Sequence, residues 1–458
     1  MLIRLTIANF LSFKEEVEFT TLATRERQHA HRIFQDEKNG LKLLPVSAIF
    51  GGNASGKSNF YFAVEFLRRL VLRSPTSPDE QIPVEPFKLD DGASETQPSR
   101  FTIEILPGAT AYRLTLAVLP NRIAEEKLEE IRGERSILIY SREHTANQTE
   151  PTWDVTPLQR RADSSADREF IGFKTRDTLP NQLFLSVVRG KNVPIADEVS
   201  MWFREQLALV LPTSTFKMLE FSLPSERGLQ EYCNDSLRKA DTGIFEIGQQ
   251  KISWDAFPAP TSMKDDLKKI LGEGQITFVL GPDGRRYSIT RKDGEFHVAH
   301  LFTVHKTASG RRVRFELADE SQGTQRFVDL LPAFHELARS NRPKVFVIDE
   351  VDRSLHTRLT RHLIESYIRS LGPDSRCQLI FTTHDALLLD QELLRRDEIW
   401  FMEKGEDNAS SMSSLADFEG VRYDRDILKS YLLGSFGGLP RVSGLPSRPI
   451  SEPSPAER

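Results

Sequence analysis

Apolar and polar positions recur along this chain with two periods, and the switches between them mark its elements. At the start, Leu2-Ile3-Arg4-Leu5-Thr6-Ile7 alternates, as a half-buried strand does. Residues 101–105 and 112–116 alternate in the same way on either side of Pro107-Gly108, which predicts a hairpin, and residues 136–140 and 152–155 predict further strands. Polar loops interrupt this region at 74–83 and 160–167. From Asn181 to about Ile270 the pattern turns helical, with Val199, Met201, Trp202, Phe203 and Leu207 on one stretch and residues 263–271 on another. Strand patterns return at 275–280, 286–290 and 312–317, with Gly281-Pro282-Asp283-Gly284 and Lys292-Asp293-Gly294 as turns. Neither an internal repeat nor a sustained heptad is present, and the Pro- and Ser-rich residues 443–458 predict a disordered tail.

Between the apolar run 43–50 and a helical pattern over 59–72 lies Gly51-Gly52-Asn53-Ala54-Ser55-Gly56-Lys57-Ser58, a complete G-x-x-x-x-G-K-S loop. Strand before and helix after are the context this motif needs. Glycines let successive N–H groups turn inward on a polyphosphate, and the helix that follows adds the positive end of its dipole. Lys57 is placed to reach the β- and γ-phosphates and Ser58 to ligate Mg²⁺. The expected ligand is a nucleoside triphosphate with Mg²⁺.

A second set of residues follows some 260 positions later. Lys344-Val345-Phe346-Val347-Ile348 reads as a strand buried on both faces, ending in Asp349-Glu350. Asp349 is placed to hold Mg²⁺ and Glu350 to polarise an attacking water. Upstream, Ser321-Gln322-Gly323 opens a helix whose apolar positions Phe327, Leu330, Leu331, Phe334 and Leu337 recur at helical spacing, so a hydroxyl and free N–H groups converge there. Downstream, Cys377–Thr383 is another buried strand, ending in His384. Taken singly, the Ser-Gln-Gly turn reads as a helix cap and His384 as a strand-end histidine. Their order after the phosphate loop gives them the sharper meaning.

Composition sets outer limits. At 458 residues, 39% hydrophobic and 28% charged, the chain is long enough for two or three domains. A net charge of -5 predicts no general attraction to nucleic acid or acidic membranes; local clusters such as Gly310-Arg311-Arg312-Val313-Arg314 and Leu67-Arg68-Arg69-Leu70 permit DNA contact, although on helices and strands such clusters are more often solvated faces. Two cysteines, Cys233 and Cys377, exclude a disulfide framework and favour a reducing cytoplasm. Residues 1–13 lack the apolar core of a secretion signal, and no run of about eighteen apolar residues would span a membrane. His297, His300 and His305 are close in sequence, but a strand would set His297 and His300 on opposite faces, against a shared metal.

The series of phosphate loop, long insertion, Ser-x-Gly at a helix start, strand with Asp-Glu and strand with His resembles the ABC-class ATPase heads of SMC and RecF-type proteins. It is most similar to bacterial AAA ATPases of the RloA and AriA sort found in anti-phage systems. Asn9-Phe10-Leu11-Ser12-Phe13, Glu320–Arg326, Asp349–His356, Thr382-Thr383-His384 and the C-terminal phrase Tyr431–Pro440 carry the resemblance. It implies an α/β P-loop NTPase of ABC-ATPase type, a mixed central sheet with an antiparallel β subdomain, interrupted by a largely helical insertion. The expected division is 1–175, 176–272, 273–442 and the tail 443–458. It further implies that His384 is a switch residue near the γ-phosphate and that Ser321 and Gly323 contact ATP held by a second subunit. ATP would then join two heads into a homodimer or higher oligomer, controlling a separate nuclease or toxin effector; a head that loads on DNA is the alternative. Glu320 and Thr324 depart from the usual signature, His356 stands where transporters carry an aspartate, and Gln97 is the only candidate offered for the Q-loop.

Overall fold

The computed structural model describes residues 1–439 apart from 146, 147, 149, 214–222, 224–226, 340, 341 and 421–425, so the expected tail 443–458 lies outside the described residues. The central sheet has six strands in the order Leu207–Val210, Lys344–Ile348, Cys377–Thr383, Val46–Phe50, Ile399–Lys404 and Ser410–Ser414. The first five are parallel and the last is antiparallel to its neighbour. Parallel strands need crossovers that cover both faces, which is why their residues are mostly apolar and almost all buried.

Alternation along those strands feeds two cores. Ile49, Val345, Val347, Ile380, Trp400 and Met402 pack with the helix Lys57–Leu72. Ala48, Phe50, Phe346, Ile348, Leu379 and Phe381 pack on the other side with the helices Gln322–Ala338 and Thr357–Ser370. The first core continues into a seven-stranded antiparallel sheet in the order Thr152–Asp154, Arg135–Glu143, Arg122–Arg132, Ala111–Leu119, Ser99–Ile105, Leu2–Ala8 and Val17–Thr20. A smaller sheet of Ile244–Ile252, Glu295–Lys306, Arg286–Lys292 and Ile276–Leu280, with Arg312–Glu316 also on Glu295–Lys306, has one face in the second core. Among the described residues no helix is long and apolar enough to cross a membrane.

The stretch expected to be helical is less uniform. It contributes Phe184–Val188, Pro194–Met201, Arg227–Lys239 and Thr261–Ile270 as helices, but also two strands. Trp202–Gln206 is a single wide π turn, after which Leu207 begins an edge strand of the central sheet instead of continuing a helix. Its four residues are too few to show a period. Ile244–Ile252 is hidden for another reason: its register on Glu295–Lys306 shifts between Ile244 and Glu246, and the extra residue breaks the alternation.

One buried amide ties the two large sheets together. Gln378 is 1% exposed; its Oε1 accepts the Leu2 N–H at 2.7 Å, and its Nε2 faces Leu2 O, Thr21 Oγ1 and Leu44 O at 3.0–3.1 Å. Gln378→Ala takes the amide from the Leu2 N–H and from the Leu44 carbonyl, while Thr21 Oγ1 still donates to Leu2 O, and is expected to cost about 2–3 kcal/mol of unfolding free energy. Chemical denaturation checks this; an unchanged midpoint would contradict the role given to the amide.

Candidate functional site

Because Val46–Phe50, Cys377–Thr383 and Lys344–Ile348 are adjacent and parallel, their carboxyl ends open on one edge of the sheet, where such sheets bind ligands. The strand ending at His384 lies between the strand leading to the phosphate loop and the one leading to Asp349. Whatever hangs from its end therefore meets both.

The phosphate loop turns into its helix through Gly56 at φ 110°, a conformation that suits glycine, and no side chain caps the helix start. First-turn N–H groups are thus left to face an anion. Lys57 folds back, its Nζ donating to Gly51 O at 2.7 Å and Gly52 O at 2.8 Å. Burial pulls its ammonium below the ordinary lysine range, opposed by the charges of Glu350, Asp349 and Asp352. Beneath the loop, Ser410 Oγ donates to Ser55 O at 2.7 Å and accepts from Ser12 Oγ at 2.7 Å, and Asn59 Nδ2 donates to Ser12 Oγ at 2.7 Å. Ser12 belongs to the N-terminal phrase, which thus braces the loop. The C-terminal phrase reaches it too: Gly438 O accepts the Gly52 N–H at 2.8 Å and the Tyr431 hydroxyl at 3.1 Å. Pro440, the last residue of that phrase, lies outside the described residues.

Asp349 is 2% exposed and both of its oxygens are engaged. Ser58 Oγ donates to Oδ2 at 2.8 Å, and Thr382 Oγ1 donates to Oδ1 at 2.6 Å. Thr382 Oγ1 in turn accepts the Glu350 N–H at 2.8 Å. Glu350 sits half-buried at φ 46°, a left-handed conformation that costs a residue with a side chain about 1–3 kcal/mol. Ser58 and Asp349 present two oxygen donors side by side, the chemistry that suits Mg²⁺, and the loop amides and Lys57 suit a polyphosphate. His384 is 48% exposed, with Nε2 3.3 Å from Asp352 Oδ2.

Ser321 is exposed and caps the helix Gln322–Ala338, its Oγ accepting the Thr324 N–H at 3.1 Å. A Cβ on Gly323 would come within 2.6 Å of Ser354 O, so glycine is what lets this helix start approach the turn after Glu350. Three residues further, burial lowers the affinity of Arg326 for its proton, Asp329 opposes the shift, and the charges of Glu350 and Asp349 do so as well. The helix thus brings a buried cation towards its own chain's carboxylates.

The structure brings Lys57, Ser58, Asp349 and Glu350 together and sets His384 beside them through Asp352. Gln97 is exposed, its carbonyl taking the Asn9 side-chain amide at 3.0 Å. His356 caps the helix Thr357–Ser370 by accepting the Arg358 N–H. On the strand Glu295–Lys306, His297 is exposed, His300 is buried 3.0 Å from Glu316, and His305 is 2.7 Å from Glu320. Sequence reasoning did not single out Ser12, Asp352, Thr382 or Ser410 for a role at the site. Thr382 could have been found as a hydroxyl just before the strand-end histidine, whereas nothing local marks Ser410.

Thr382→Val removes the donor to Asp349 and the acceptor for Glu350 while keeping the shape. A lost hydrogen bond to a charged group is worth about 1.5–3 kcal/mol, so affinity for Mg²⁺–ATP is expected to fall roughly 10- to 100-fold. Titration with ATP in the presence and absence of Mg²⁺ checks this; parent-like affinity would contradict it.

Comparison with known proteins places this geometry. A search of curated protein sequences finds no match. Among solved structures, the chain is similar to the SMC head domain from Thermotoga maritima, at 12% identity and TM-score 0.36 over 90% of this chain and 98% of that one. It is similar also to an SmcHead crystallised bound to the C-winged helix domain of ScpA, at 13% identity and TM-score 0.38 over 90% and 97%. A family model described as "AAA domain, putative AbiEii toxin, Type IV TA system" matches residues 46–390, about three quarters of the chain, from the strand before the phosphate loop to beyond His384. With that match and this site at the edge of a mixed sheet, the fold is that of a P-loop NTPase, and the chain belongs to the AbiEii-type AAA domain family.

Proposed function

We propose that the chain binds and hydrolyses ATP with Mg²⁺ and uses its nucleotide state to switch its own assembly. The observation that carries this reading is the chain of contacts Ser58–Asp349–Thr382–Glu350, which links the phosphate loop to a carboxylate free to act on water. Gly51 to Ser58 cradle the phosphates, Lys57 neutralises their charge, and Ser58 with Asp349 holds the metal. Glu350 positions the attacking water, and His384, oriented by Asp352, senses the γ-phosphate. Ser321 faces outward and, with the Gly323 backbone behind it, completes the site of a second copy, so ATP joins two heads and hydrolysis releases them. In the cell the switch governs a separate nuclease or toxin effector in anti-phage defence, a role supported by resemblance to the RloA and AriA sort and by membership of a family described through toxin–antitoxin systems.

Lys57→Ala is expected to abolish ATP binding, because it removes the side-chain cation on the phosphates. Glu350→Gln should bind ATP as the parent does but hydrolyse it at least about 100-fold more slowly, since an amide polarises water poorly. Parent-rate hydrolysis by Glu350→Gln would show that another group positions the water.

Assembly gives an independent check. Mass measurement of Glu350→Gln protein should show dimers or larger species with ATP and not with ADP. Adding Ser321→Arg, which fills the outward anion pocket, should suppress that growth while ATP binding persists. Identical masses in every nucleotide state would remove the assembly switch from the account.

A further inference from the structure

The strand Glu295–Lys306 meets different surroundings on its two faces. Inward, Thr303 Oγ1 donates to Glu320 Oε1 at 2.5 Å and His305 Nε2 lies 2.7 Å from the same oxygen, one residue before Ser321. Outward, the half-buried ring of Phe302 lies against Gly248 on the neighbouring strand, so that a Cβ there would collide with it. Arg314 covers this ring, its guanidinium carbon 4.3 Å from the centroid. The ring of Phe245 carries three cations: Lys306 Nζ at 3.2 Å, with the guanidinium carbons of Arg312 and Arg238 at 5.3 and 5.4 Å.

Four exposed cations gathered on two rings repel one another, and the chain around them has a net charge of -5. Glu246 answers one of them, pairing with Arg312 at 3.3 Å. Among the described residues Arg238, Lys306 and Arg314 make no ion pair. The ladder sets their spacing: Lys306 stands opposite Arg312, and Arg314 follows two residues later, roughly 7 Å along the strand and close to the step between phosphates in a nucleic-acid backbone. Aromatic rings and guanidinium planes also offer stacking surfaces to bases, which a run of carboxylates in an acidic protein does not use.

We propose that this outward face of the small sheet binds nucleic acid through its phosphodiester backbone. Because Lys306 and His305 are consecutive on one strand, an occupant outside bears directly on the contacts that hold Glu320 inside. The nucleic acid thereby becomes an input to the signature turn, a consequence that rests on the reading of Ser321 as a contact to ATP in trans.

The test uses the full chain without nucleotide and a fluorescently labelled DNA duplex a few helical turns long, with a single strand of the same length and poly-glutamate as comparison ligands. Binding is expected at low salt, with log affinity falling against log salt at a slope of about −3 for three to four phosphates neutralised. The double variant Lys306→Ala/Arg314→Ala should bind DNA at least about tenfold more weakly and flatten the slope by about 2, while its ATP binding stays at the parent level. Absence of binding by either DNA form, parent-like binding by the double variant, or tighter binding of poly-glutamate would each overturn the proposal. Ser321→Arg should bind DNA as the parent does, so failure of the assembly switch and failure of this surface are read separately.

Discussion

The hydroxyl of Thr382 occupies the one place where three requirements of the site meet. It hangs from the strand between the phosphate-loop strand and the acidic strand, donates to Asp349, and accepts from the Glu350 backbone. Asp349 is thereby held with its other oxygen on Ser58, and Glu350 is held in a left-handed conformation it would not adopt unaided. Strain and desolvation are both met by neighbours already fixed in a parallel sheet. The strand order is thus the constraint on which the chemistry depends: exchange two strands and Thr382 no longer bridges.

Electrostatics explains why the loop is so heavily braced. Lys57 is buried, which disfavours its charge, and three carboxylates nearby keep that charge affordable. Before a phosphate arrives, its ammonium is satisfied by carbonyls of its own loop. Such a loop holds its shape only if its backbone is tied elsewhere, and the Ser12–Ser410 pair and the Gly438 carbonyl provide those ties from opposite ends of the chain. The two terminal phrases are therefore parts of the nucleotide site.

Much of this was legible in the sequence because it is written locally. The phosphate loop, the acidic strand and the strand ending in His384 each need fewer than ten consecutive residues to declare themselves, and the burial of the strands on both faces follows from their largely apolar runs. What was not legible is either too short, interrupted, or remote. Leu207–Val210 gives no period in four residues, and a register shift disguises Ile244–Ile252. Ser410 joins Ser12 across 398 positions, with nothing on either side to announce the pairing. The exposed signature turn is a middle case. Ser321 reads equally as a helix cap, which it is, and as an outward-facing anion contact, a role one chain cannot display by itself.

The central claim is that ATP brings Ser321 of one copy to the phosphate loop of another. Its most direct measurement is cross-linking between Ser321→Cys and Asn53→Cys, both exposed positions, in Glu350→Gln protein, where the native cysteines Cys233 and Cys377 are buried and do not compete. With a short bifunctional maleimide the account predicts an inter-subunit adduct that forms with ATP and Mg²⁺ and not with ADP. Equal adduct in ATP, ADP and nucleotide-free protein, or none in any state while ATP is bound, would contradict it.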